Sequence, residues 1–460
     1  MKRLNGMDAL LLYSETPNVH THTLKVAVLD TGGGDAAFGI EEFRQTLQRR
    51  LHLLEPLRYK LVDIPWRLHH PMWLQNCAID LDYHLRRVQV PAPGGRRELD
   101  RVIGELASTP LDRRYPLWEF HFADGLSDGR CAVIGKIHHA LADGVASANL
   151  LARAMDLGRP TSAEPPTTDT CVPPSSSELL RAAGRDHLQQ LAEMPAVLGA
   201  ALSGVRRLRR RARQRDKQHD FARPMRAPAT FLNHVVSPVR TFASATLPLS
   251  EAKKTARHLQ VTINDLVLAM AAGALRTLCL RYDRTADQPI VASVPLSTDR
   301  SAERITGNEI GGLAVSLPVH IDDPLERVRL VSRATAIAKE NQKLFDQELY
   351  GRLMGYVPPG VATPILQWVA AHDTDRRLMN IPISNVAGPR EYGNFDGARV
   401  DEIYSVGPLA PGCGMNITVW SYVDQLNISV IADDLTLENT HEATEALADA
   451  FAQIRSACGL

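Results

Sequence analysis

Residues 131–155 constrain the fold more tightly than any other stretch. Cys131-Ala132-Val133-Ile134-Gly135-Lys136-Ile137 is short, apolar and β-branched, the composition of a strand. It runs into His138-His139. Asp143 is a good helix N-cap, and Ala148, Leu151, Ala152 and Met155 then recur at i, i+3, i+4 and i+7, so one face of the following helix is apolar. The two histidines therefore sit where a strand gives way to a helix.

Successive residues of an extended segment point to opposite faces, so only one of the pair can address a given cleft. An imidazole titrates near pH ~6.5 and is the side chain best suited to take a proton at neutral pH, help worth ~10²–10⁴ in rate. Asp143 either orients such a base or only caps the helix. Spacing alone leaves both readings open, beside the blander one of two packed histidines.

At 460 residues the chain has material for two or three domains. From about Gly158 the composition shifts to Pro, Thr and Ser, then to a helical segment ending in the basic run Arg206–Lys217. This divides the chain into residues 1–158, a linker over 159–230 and a second domain over 231–460. Lys plus Arg equals Asp plus Glu at 52 each, so no global field favours nucleic acid and an anionic partner must meet a local patch. Arg206–Lys217 is such a patch: it reads as a solvated linker helix or, with the apolar run Val197–Val205 before it, as a membrane-surface element. Six cysteines lack CxxC or CxxH spacing, which predicts reduced thiols, neither a zinc site nor a disulfide framework, and a cytoplasmic setting. No segment reaches 18 uninterrupted apolar residues, and the N-terminus does not read as a signal peptide.

In chain order, the residues predict a short helix over Asp8–Tyr13, a strand over His22–Leu29 running to Gly32–Gly34, a helix over 40–52, and a helix from Glu98 to Ser108. His20 and His22 share a strand face, but no third metal ligand is in view. Gly125-Leu126-Ser127-Asp128-Gly129 matches the G-x-S-x-G nucleophile elbow. That motif requires strand, sharp turn and helix, whereas strands flank it on both sides here, so Ser127 reads as a hairpin residue. The second half carries a strand at 240–249, a deeply apolar helix opened by Asn264-Asp265, strands at 289–296 and 313–319 around Gly307-Asn308, helices over 324–348, and a hairpin turning at Asp424-Gln425. Segment 356–371 is too broken by proline for a spanning helix. Strands and helices alternate in both halves, an α/β class with mixed sheets.

His138-His139-Ala140-Leu141-Ala142-Asp143-Gly144 matches HHxxxDG, and the chain resembles the acyltransferase superfamily of chloramphenicol acetyltransferase and the peptide-synthetase condensation domains. Within it, Pro116-Leu117-Trp118-Glu119, Asn264-Asp265, Gly307-Asn308 and Ser384-Asn385-Val386-Ala387-Gly388-Pro389 occur in the order seen in bacterial wax ester synthase/acyl-CoA:diacylglycerol acyltransferases, with Met7-Asp8-Ala9 at the start. Ala387 stands where that family usually has Pro, and the basic residues before the second-domain strand are thinned to Arg240.

The resemblance implies two chloramphenicol-acetyltransferase-like domains with a tunnel between them. It implies that His139 is the base, with His138 and Asp143 supporting and Gly144 letting the backbone turn; a tetrahedral oxyanion needs fixed donors, and Asn264 is a candidate donor or acceptor-positioning group. Pro116–Glu119, Asp265, Ser384 and Asn385 are expected to bind substrate or hold structure. The implied reaction passes a fatty acyl group from acyl-CoA to the hydroxyl of diacylglycerol or a long-chain alcohol, without acyl-enzyme, cofactor or metal, at the inner face of a membrane or a lipid droplet. Two other readings keep the motif: an O-acyltransferase fed by a carrier protein, and a non-catalytic lipid-droplet protein.

Overall fold

A computed structural model describes residues 1–31, 38–155, 171–214, 221–222, 226–297, 299, 301, 303–344, 347–373 and 377–460. The expected end of the first strand at Gly32–Gly34, the prolines at 160–166 and the basic run beyond Gln214 lie outside them. The motif strand is Cys131–His138 and the helix after it Gly144–Ala154, with Asp143 as the N-cap.

Two six-stranded mixed sheets organise the chain. The first runs, in spatial order, 394–395, 398–406, 22–30, 131–138, 118–124 and 85–89; the second runs 310–317, 290–297, 381–387, 415–422, 425–433 and 240–248. In the first, only the pair 85–89 with 118–124 is parallel; in the second, 381–387 runs parallel to both its neighbours. The expected hairpin forms with Tyr422 opposite Gln425. A small third sheet joins residues 2–3, 72–74 and 60–62.

Strand Ala398–Val406 comes from the second half of the sequence yet hydrogen-bonds into the first sheet, Tyr404 opposite Val26 and Ser405 opposite Lys25. Its residues also hold the second sheet: Asn427 donates to the Ile403 carbonyl at 2.8 Å. Helix Arg96–Ala107 makes the reciprocal link. Its buried Asp100 accepts from the Ser244 backbone N–H at 3.0 Å and its hydroxyl at 2.7 Å. The sheets are thus laced together from both directions.

Helix Ile263–Tyr282 fills the second half's core, with Leu266, Ala269, Met270 and Ala274 fully buried. Among the described residues it is the one helix long and apolar enough to cross a bilayer, but most of it is enclosed by its own fold. Segment 356–371 forms a 13-residue helix, Pro359–Ala371, with Pro364 inside it. A helix of 39 residues, Ser176–Gln214, passes Pro195 without ending.

The cysteine expectation needs correction. Cys77 and Cys171 form a disulfide with Cα atoms 4.7 Å apart, while Cys131, Cys279 and Cys413 are buried free thiols. The partners lie 94 residues apart. They meet because the helix from Ser176 returns to the small sheet, where Leu179 and Ala183 pack on Ile64 and Met72; no local spacing announces that return.

Candidate active site

His138 and His139 leave the motif strand in different directions. His138 is fully buried. Its Nδ1 accepts the Ala140 N–H at 3.1 Å, which places the proton on Nε2, 2.9 Å from Thr21 Oγ1 and 3.6 Å from Glu15 Oε1. Burial alone would raise the Glu15 carboxyl, but His138 and Arg113 hold it well below the usual carboxylate range. Every polar atom of the His138 ring is therefore committed to holding the strand end.

His139 is half-buried, and its backbone N–H is fixed on the Thr21 carbonyl at 2.8 Å. Its Nδ1 is sealed from solvent without a hydrogen-bond partner, so the exposed edge of the ring carries Nε2. Burial pushes this imidazole below its ordinary titration range; Lys25 and His138 push the same way, and its own backbone and Asp143 oppose them. At neutral pH it is an uncharged base with one nitrogen open.

The His139 carbonyl is anchored from the second half of the chain. Asn308 Nδ2 donates to it at 2.8 Å and to Asp8 Oδ1 at 2.8 Å, and the Asn308 backbone N–H donates to the same carboxylate oxygen at 3.0 Å. Burial raises the Asp8 carboxyl to about 7, with the Asn308 hydrogen bond pulling it down. Gly307 adopts a left-handed φ of 82°, and its N–H and carbonyl clasp Leu141 O (2.8 Å) and Asp143 N (3.2 Å). Sequence reading placed Asp8 in the opening helix and gave Gly307-Asn308 the chemistry of a turn, but assigned neither a role at the histidines, because their partners are far away along the chain.

Asp143 forms no hydrogen bond to the His139 ring. Its Oδ1 caps the helix through Ala146 N–H at 2.9 Å, and its Oδ2 takes the Arg304 guanidinium at 2.9 Å and Glu309 N–H at 3.1 Å. Gly144 has no left-handed backbone. The expected turn is replaced by a matter of space: a Cβ there would lie 3.1 Å from Val386 Cγ2. Ser384 and Asn385 precede that valine on strand Ile381–Ala387, opposite Thr418 and Val419. The same segment's Gly388 is required because a Cβ would overlap Trp420 and the Ser421 carbonyl.

Pro116–Glu119 supports the histidine strand from its other neighbour. Leu117 O accepts the His138 N–H at 2.9 Å, and the buried Trp118 donates to Leu57 O at 2.7 Å and stacks on His84. Glu119 faces Lys136 at 3.2 Å; burial would raise it, but His121, Lys136 and Arg86 hold it at about 2. Asp265 closes a capping box with Thr262 and takes the Thr335 hydroxyl at 2.5 Å. Asn264 sits on that first turn, and among the described residues no hydrogen bond joins it to the His139 cluster. His20 and His22 lie against the Pro17 and Ala107 carbonyls, and Ser127 stays in the hairpin with its N–H on Gly94 O at 3.0 Å.

Residues 4–267 match the family described as wax ester synthase/diacylglycerol acyltransferase catalytic domain, and residues 306–455 match its C-terminal domain. The chain belongs to the wax ester synthase/diacylglycerol acyltransferase family. Among its relatives is a Mycobacterium tuberculosis H37Rv protein named as a diacylglycerol O-acyltransferase, 51% identical over 463 residues, all of this chain and 97% of that one. A second protein of that organism with the same assigned name is 35% identical over 96% of this chain and 94% of its own length. In fold, the chain superposes on the wax ester synthase/diacylglycerol acyltransferase of Marinobacter aquaeolei VT8 with a TM-score of 0.70 at 24% identity, covering both chains fully. The first condensation domain of the calcium-dependent antibiotic synthetase gives 0.60 at 16%, covering all of this chain and 96% of that one. The mixed-sheet architecture is therefore that of the acyltransferase and condensation-domain folds, and the protein is an O-acyltransferase.

Proposed function

We propose that His139 is the general base of a transfer from fatty acyl-CoA to a long-chain hydroxyl acceptor, diacylglycerol or fatty alcohol. Nε2 takes the acceptor's O–H proton as that oxygen attacks the thioester carbonyl carbon. The tetrahedral intermediate collapses by breaking the C–S bond, and the proton passes from His139 to the departing CoA sulfur. No acyl-enzyme forms. The observation that carries this reading is the His139 ring itself, uncharged, sealed at Nδ1 and open at Nε2, with its carbonyl gripped by Asn308. His138 and Asp143 act as positioning residues, and Gly144 keeps the Val386 strand close. Pro116–Glu119 and Asp265 hold structure; nothing supports a substrate contact for them, for Ser384 and Asn385, or for Asn264 as an oxyanion donor.

Acyl-CoA as donor is supported by the family, and by a structural neighbour, the starter condensation domain of rhizomide synthetase, solved in complex with C8-CoA. A lipid-surface setting is supported by exposed apolar side chains: Trp66 at 81%, Trp368 at 55%, and Leu188, Leu191 and Leu202 on the long helix that leads to Arg206, Arg207, Arg209 and Arg210. The test is an acyl-CoA assay offering hexadecanol and diacylglycerol side by side. His139→Ala is expected to lose about a thousandfold in kcat on the preferred acceptor; turnover at the wild-type rate would remove the histidine from the mechanism.

A further inference from the structure

Thr21 touches both histidines, the ring of one and the backbone of the other. Its carbonyl accepts the His139 N–H at 2.8 Å, and its hydroxyl oxygen lies 2.9 Å from His138 Nε2. It is buried, and it stands just before strand His22–Asp30, the neighbour of the motif strand. A β-branched side chain has few χ1 choices, so the backbone places the hydroxyl. The loop from the opening helix places the backbone: Thr16 and Val19 exchange N–H···O=C bonds of 3.0 and 3.2 Å, and Thr16 Oγ1 takes the Val19 N–H at 3.0 Å.

The Thr21 hydroxyl has one proton, which it gives to the Leu11 carbonyl at 3.0 Å. Towards His138 it can therefore only accept, and it selects the ring tautomer with the proton on Nε2. That tautomer leaves a lone pair on Nδ1, where the Ala140 N–H is held at 3.1 Å. The peptide groups on both sides of His139 thus depend on one residue, the first through the Thr21 carbonyl and the second through the Thr21 hydroxyl and the His138 ring. His22, opposite His138 in the sheet, takes no part, since its Nε2 is bound to the Ala107 carbonyl at 3.0 Å.

Glu15 holds Thr21 in turn. Its Oε1 accepts the Thr21 N–H at 3.4 Å, and its Oε2 takes the Arg113 fork at 2.7 and 3.1 Å, while the same guanidinium donates to the Leu12 carbonyl at 2.6 Å. Against its burial, His138 and Arg113 keep this carboxyl ionised. Arg113 lies shortly before Leu117, whose carbonyl accepts the His138 N–H at 2.9 Å.

We infer that Thr21 and Glu15 are positioning residues for the transfer: the Thr21 hydroxyl fixes the His138 tautomer and with it the backbone that carries His139, and the Glu15 carboxylate fixes Thr21. The inference rests on His139 as the base, and it names residues outside the HHxxxDG motif on which that base depends. A base displaced by about 1 Å loses on the order of a hundredfold in rate, because acceptor, carbonyl and base must line up.

The experiment is steady-state acyl-CoA kinetics on the full-length protein with Thr21→Val, which keeps the shape and removes the hydroxyl. Its kcat is expected to fall about 10- to 100-fold with KM for acyl-CoA within about threefold. Thr21→Ser restores the hydroxyl and is expected to turn over at least about fivefold faster than Thr21→Val. Nitrogen NMR of histidine-labelled protein should show His138 protonated on Nε2 in wild type and lose that single tautomer in Thr21→Val. Should Thr21→Val fail to fold, Glu15→Gln takes its place, with the same split between kcat and KM expected. His139→Ala separates the two readings: if it keeps the wild-type rate, the base lies elsewhere and both fall. If His139→Ala loses rate while Thr21→Val keeps its kcat, changes KM as much as kcat, or is matched in its loss by Thr21→Ser, only the present inference is overturned.

Discussion

Replacing Asn308 by alanine tests the claim that the second half of the chain aims the base. The substitution removes two donations of 2.8 Å, one to the His139 carbonyl and one to Asp8. Each buried hydrogen bond contributes about 1 kcal/mol, more for the carboxylate acceptor, and losing Asn308 Oδ1, buried without a partner, returns part of that. The net cost is about 2–3 kcal/mol of stability. Catalysis should suffer separately: with its carbonyl released the imidazole loses its orientation, and kcat should fall 10- to 100-fold while KM for acyl-CoA stays within about threefold. Asp8 gives an independent signature. Its carboxyl is raised to about 7, so between pH 4 and 7 the native state holds a proton that the unfolded chain releases, and stability declines as pH rises through that window. Without the Asn308 hydrogen bond, which lowers that value, the decline should extend to higher pH. Steady-state kinetics and a melting series across pH measure both effects. A variant that melts lower but keeps its kcat would show Asn308 to be only a structural tie.

The wild-type kcat/KM profile should lose activity only on the acid side of pH 6.5, because burial, Lys25 and His138 all lower His139; an acidic limb centred above 7 would contradict the neutral-base geometry. Gly144→Val should cost about 1–3 kcal/mol by forcing Val386 aside, read as a lower melting temperature; an unchanged melt would show that the approach is not tight. Ser127→Ala should leave turnover unchanged, since only its backbone N–H is used, on Gly94; a large loss would revive the elbow reading.

Local periodicity carried most of the element order. Cys131–His138, the capped helix after it and the 415–433 hairpin all announce themselves through alternation, a capping Asp and a tight turn. Strand Ala398–Val406 and helix His441–Ala457 went unread. The strand alternates well enough, but its partner at 22–30 is remote in sequence, and local pattern does not specify pairing. The candidate site was legible locally as a histidine pair at a strand's exit, and the choice of His139 over His138 came from the resemblance, since spacing left both open. It was illegible where it works through space: Asp8, Asn308 and Arg304 converge on the motif from two other segments. At Gly144 the residue was recognised but its reason was not, because crowding by Val386 leaves no trace in the neighbouring letters.

That late strand also sets an order of events during synthesis. The edge of residues 22–30 stays unpaired until the ribosome has passed Val406, so a half-made chain displays a bare β edge. A truncated N-terminal half should therefore aggregate, and exchanging halves between relatives should fail unless residues 394–406 travel with the first sheet.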